Sequence, residues 1–97
     1  MREYEVMLIL PADADDAAAV DGLADRIRGI LAERGGEIRK IDKWGRRRLA
    51  YEIARQSEGY YVVVSFSAEP EAVEAIDRML TLADEVIRFK VVLRQAA

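Results

Sequence analysis

An α+β sandwich, with four antiparallel strands and two helices against one sheet face, is the fold class the sequence predicts. Three observations predict it. Two stretches carry apolar residues at helical spacing, four others read as strands, and they follow one another as strand, helix, strand, strand, helix, strand. With 97 residues, 52% of them hydrophobic and 34% charged, the chain suits one folded domain over residues 1–97 rather than a disordered segment.

Residues 3–10 open with alternation that puts Tyr4, Val6, Leu8 and Leu10 on one face and Glu3, Glu5, Met7 and Ile9 on the other. Pro11 ends this strand. Asp13, Asp15 and Asp16 offer caps and negative charge to a helix start, and Val20, Leu23, Ile27, Ile30 and Leu31 follow at helical spacing. Gly35 and Gly36 stop that helix, since glycine tolerates the left-handed conformation of a C-terminus.

Residues 37–53 are strand-like but irregular. Ile38 and Ile41 fall on opposite parities, while Leu49, Tyr51 and Ile53 agree with one another. A bulge or strong twist near Gly45 would reconcile them, with Leu49, Tyr51 and Ile53 anchoring the strand to the core. Residues 54–58 form a turn into a further strand over 60–67, most simply paired with its predecessor as a hairpin. There Ser65 and Ser67 mark a wet face, shared with Tyr61 and Val63, while Val62, Val64 and Phe66 face the core. Pro70 fits the first turn of a second helix using Val73, Ile76, Met79 and Leu80. Residues 86–94 then alternate, with Ile87, Phe89, Val91 and Leu93 inward and Arg88, Lys90, Val92 and Arg94 outward.

This order is the split βαβ pattern of a ferredoxin-like βαββαβ sandwich. Right-handed crossovers place the first and third strands centrally and the other two at the edges. Both helices cover one face. The other stays open, carrying Met7, Ile9, Tyr61 and Val63, and an apolar patch of that kind invites a partner.

The chain has no cysteine and no histidine. No disulfide, thiol nucleophile or ordinary Ser-His-Asp triad can be assembled, a zinc site would need carboxylates alone, and neither metal nor cofactor is expected. The glycines form no phosphate-binding loop. Phosphate chemistry on the loop after the first strand is opposed by its acidic residues, which would repel the anion. Two acids precede the short apolar run at 6–10, unlike a signal peptide, and no apolar run approaches about 18 residues, so no membrane span is expected and a cytoplasmic location is the default.

One segment breaks the charge pattern. Net charge is −3, yet within residues 39–48 Arg39, Lys40, Lys43, Arg46, Arg47 and Arg48 stand against Asp42 alone, beside the single tryptophan, Trp44. Such a reversal suggests an anionic partner met at one place, and a tryptophan flanked by lysine and glycine is either a core ring or an interface anchor. An RNA-recognition motif has the same topology, but its third-strand signature meets residues 58–65 with only the glycine, one aromatic and one valine matched. Base stacking on that strand is not expected.

At Trp44-Gly45-Arg46-Arg47-Arg48-Leu49-Ala50-Tyr51, preceded by Met1-Arg2-Glu3-Tyr4-Glu5 and followed by Gly59-Tyr60-Tyr61 and Pro70-Glu71, the sequence resembles the bacterial small-subunit ribosomal protein S-six family. The likeness runs essentially end to end and departs at Glu52, where the family usually has proline. The resemblance implies a non-enzymatic structural protein that binds the central domain of small-subunit ribosomal RNA together with ribosomal protein S-eighteen and is monomeric when free. On that reading Arg2, Arg88, Lys90 and Arg94 would meet RNA phosphates, unless Glu3 and Glu5 neutralise them. Trp44, Arg46, Arg47, Arg48, Tyr61 and Val63 would contact the partner protein. The alternative is a ferredoxin-like regulatory or dimerisation domain that binds a small ligand or itself through the open sheet.

Overall fold

The computed structural model describes residues 1–11, 17–53, 56–84 and 86–94. In chain order these form β1 (Arg2–Pro11), α1 (Ala17–Ala32), β2 (Glu37–Ile53), β3 (Gln56–Ala68), α2 (Pro70–Leu82) and β4 (Arg88–Arg94). The sheet is antiparallel in the order β2-β3-β1-β4, so the first and third strands are central as expected. The expected caps Asp13, Asp15 and Asp16 and part of the turn after β2 lie outside the described residues.

One face of the sheet is sealed. Val6, Leu8 and Leu10 of β1 and Val62, Val64 and Phe66 of β3 meet Leu23, Ile27 and Leu31 of α1 and Ile76 and Leu80 of α2, all nearly or fully buried. The alternation of β1 and β3 and the helical spacing of the other set lead to this layer, where each large side chain contributes roughly 1.5–3 kcal/mol. Tyr4 stacks on Phe66 with centroids 5.6 Å apart and closes one end. At the end of α1 the Gly36 amide donates to the Leu31 carbonyl at 2.8 Å, a reversal made through Gly35 at φ 77°. At α2, Pro70 takes the first turn and Glu71 adds a favourable charge there.

β2 is the irregular element, and its irregularities sit at defined places. The register with β3 shifts at three places, between Ile38 and Lys40, between Lys43 and Gly45, and between Arg48 and Ile53. The first shift, at Arg39, settles the conflict between Ile38 and Ile41: they pair with Phe66 and Val64, both on the helix side. The second, at Trp44, is the bulge expected near Gly45, whose φ of 83° only glycine adopts without cost. An extra residue reverses the parity of everything beyond it. Leu49 and Tyr51 therefore do not join the helix-side core as expected but emerge on the open face, on the side of Gly45 and Arg47. Leu49 is nonetheless buried, near Ile9 of β1: a Cβ built on Gly59 would lie 2.5 Å from Ile9 Cγ2 and 3.4 Å from Leu49 Cδ2.

Two further expectations are corrected. Ser67 is buried rather than wet. It lies between Glu3 on β1 and Glu37 on β2, and Arg39 bonds both carboxylates, at 3.6 and 2.8 Å, across it. Leu93, expected inward, is 42% exposed, opposite Tyr4 near the end of the edge strand β4, which has a neighbour on one side only.

Candidate interaction face

The open face has a floor, a wall and a rim. Met7 and Ile9 of β1, with Val63 of β3, make the floor, and Val63 is itself buried. The second half of β2 makes the wall, because its bulge delivers Trp44, Leu49 and Tyr51 to this side. Arg88, Lys90 and Arg94 of β4 make the rim, opposite Ile9, Met7 and Glu3 respectively.

Trp44 is an exposed ring, 47% accessible, and it is held in place. It lies parallel to Tyr61, with centroids 6.5 Å apart and planes 5° apart, and the Arg47 guanidinium carbon sits 5.8 Å from its centroid. Parallel ring contact and a cation near a tryptophan ring are both favourable. Of the predicted protein-binding set, the structure gathers Trp44, Tyr61, Val63 and Arg47 on this side. Arg46 and Arg48 pair with Tyr60 and Glu58, so the register gives them the other parity, although both are exposed.

Charge along the face is graded. Several bases in residues 39–48 already have acidic partners among the described residues: Arg39 bridges Glu3 and Glu37, Lys40 pairs with Asp42 at 3.4 Å, and Lys43 reaches Asp21 on α1 at 3.9 Å. Arg94 donates to Glu5 at 3.3 Å, the neutralisation that the sequence left open. At the opposite end of β4, Arg88 and Lys90 have Ile9 and Met7 as cross-strand neighbours, so among the described residues no acid is their direct partner across the β1 seam. Arg88 instead donates a hydrogen bond to the Tyr51 hydroxyl, joining the wall to the rim across the apolar floor. Arg2 stands apart from the other predicted RNA contacts. It pairs with Ala68 and shares the parity of Tyr4, on the helix side.

Two hollows result. One, about 140 Å³, lies beneath Trp44 between Glu5, Val63 and Val92. The other, about 260 Å³, lies between Tyr51, Tyr61 and Leu49, bounded by β4 at Phe89, whose side chain packs on the helix side, with Arg88 on its rim. Met7 and Lys90 border both. Leu49, Tyr51 and Phe89 were not singled out as site residues by the sequence. The available signal was the bulge near Gly45, whose effect on parity places the first two here.

By architecture this is a ferredoxin-like sandwich with one face sealed by helices and the other carrying an aromatic, cation-edged trough. Among solved structures, the crystal structure of 30S ribosomal protein S6 from Thermotoga maritima superposes with a TM-score of 0.81 at 30% identity, covering 96% of this chain and 87% of that one. The C-terminal domain of the MgtC protein from Mycobacterium tuberculosis, at 14% identity and a TM-score of 0.62, shares the fold alone. The family model described as Ribosomal protein S6 matches residues 3–93. Small ribosomal subunit protein bS6 of Carboxydothermus hydrogenoformans is 45% identical over 92 residues, covering 95% of both chains, and that of Acidothermus cellulolyticus is 44% identical with the same coverage. The chain belongs to the ribosomal protein S6 family.

Proposed function

We propose that this chain is a structural, non-catalytic protein of the small ribosomal subunit in the cytoplasm, holding the central domain of the subunit's RNA jointly with ribosomal protein S-eighteen. The match of residues 3–93 to the S6 family carries the reading, and relatives bearing the small-subunit name support it. The open face is consistent with two partners of different chemistry: Trp44, Tyr61, Val63 and Arg47 suit a protein surface, and Arg88 and Lys90 suit phosphates. Arg46 and Arg48 would reach the protein partner from the other parity of β2, Arg2 would meet RNA from the helix side of β1, and Arg94 would do so by exchanging Glu5 for a phosphate.

The reading is tested by reconstitution of the free monomer with S-eighteen and a central-domain RNA fragment. Trp44→Ala should weaken binding to S-eighteen by about 2 kcal/mol if the ring is an anchor, with the fold intact by circular dichroism. Unchanged affinity would remove Trp44 from the interface. About three phosphate contacts give a slope of log affinity against log salt near −2 to −3. Binding to the RNA that ignores salt would overturn the phosphate role, and a tight dimer of the free chain on size exclusion would favour self-association instead.

A further inference from the structure

The two hollows of the open face differ in charge, and that difference assigns an occupant to one of them. Beneath Trp44, Glu5 lines the hollow and already holds Arg94 at 3.3 Å. In the larger hollow, about 260 Å³, none of the described lining residues is acidic, while Arg88 and Lys90 stand at its edge. Its interior is Met7, Ile9 and Leu49, with β4 passing at Phe89, whose ring packs on the helix side, and its wall is Tyr51, a ring 59% exposed. A lone apolar side chain would leave the cations unanswered. A phosphate alone would leave the apolar interior wet.

We propose that this hollow receives one unstacked nucleotide of RNA, its base against Tyr51 and the aliphatic floor and its phosphate on Arg88 and Lys90. A nucleotide joins a flat, weakly polar face and a negative charge in one rigid unit, the combination the lining presents. An acidic peptide would need two residues correctly spaced to do the same. Arg88 is suited to the phosphate because Tyr51 accepts only one of its five guanidinium donors, leaving the others for a directional contact with phosphate oxygens. The aromatic platform comes from β2, carried across by the bulge at Trp44, so a third-strand signature cannot report it. The proposal deepens the ribosomal reading and rests on it for the RNA source, but the hollow can be probed in the free chain.

The probe is a titration of the ¹⁵N-labelled free protein with adenosine 5′-monophosphate, uridine 5′-monophosphate, adenosine and inorganic phosphate, followed by amide shifts. Saturable shifts at Ile9, Leu49 and Phe89 are expected with both nucleotides, and about tenfold weaker binding after Tyr51→Ala, the loss typical of one stacking contact. Tyr51→Phe should retain the base contact. Arg88→Gln should weaken nucleotide and phosphate alike. Tyr51 is exposed, so its truncation leaves the core untouched, and unchanged amide dispersion checks this. Shifts caused by phosphate but not increased by the base would overturn the proposal, as would no saturable shift with any nucleotide or groove shifts caused only by S-eighteen. If nucleotides fail to bind while the wild-type chain, together with S-eighteen, still binds the central-domain RNA, only the hollow's assignment falls. If the RNA is not bound even with S-eighteen present, the ribosomal reading falls.

Discussion

Val62, Val64 and Phe66 are fully or almost fully sealed beneath the helices, whereas Tyr61 and Ser65, their neighbours on the same strand, face the open side and remain partly accessible. One face is filled from elsewhere in the chain by α1 and α2. The other is only half filled, by the strand β2 folding its own aromatic residues inward. Stability should therefore reside mainly on the first face and recognition on the second, because burial scales with apolar area and binding needs area left over.

Phe66→Ala tests the stability half of this contrast most strongly. Removing a ring fully buried against Tyr4 should cost about 3–5 kcal/mol in denaturant unfolding. A loss below about 1 kcal/mol would mean that the helix-covered face does not dominate stability. Gly45→Ala addresses the device that builds the second face. With φ at 83°, an added Cβ should cost about 1–2 kcal/mol, and a partial straightening of the bulge should show as altered Trp44 fluorescence. If neither stability nor fluorescence changes, the bulge does not depend on glycine. Arg94→Gln should have the smallest effect, about 0–1 kcal/mol in stability, since its bond to Glu5 joins two partly exposed groups. A larger loss, seen in the same unfolding measurement, would mean that the acidic end of the open face is a structural network rather than a solvated edge.

The element order, the central placement of β1 and β3 and the helix-side core were legible in the sequence, because parity and helical spacing report one buried face directly. Tyr61 and Val63 were legible on the open face for the same reason, whereas Trp44, which parity left as either a core ring or an anchor, joined them only through the family resemblance. The destination of Leu49 and Tyr51 was not. Their shared parity is clear in the chain, but the face they reach depends on one inserted residue at Trp44, and counting outward from Ile41 without that residue gives the opposite answer. The pairing of Arg39 with two glutamates was hidden too, since it joins β1 and β2 across β3 and leaves no local spacing signal. Ser67 consequently read as wet, although the ion bridge roofs it.

The central position of β1 bears on the timing of folding. β1 is synthesised before both of its sheet neighbours, and its seam with β4 joins residues as distant in sequence as Glu3 and Arg94. Each of its edges stays unpaired until the matching strand has emerged, and a pairing of such long span carries the entropy of closing the whole intervening chain before any contact is gained. The nascent chain can therefore form α1 and the β2–β3 hairpin early, but the sheet closes only after β4 is made. A newly made molecule thus cannot acquire its cationic rim, and with it a complete open face, before β4 has been made.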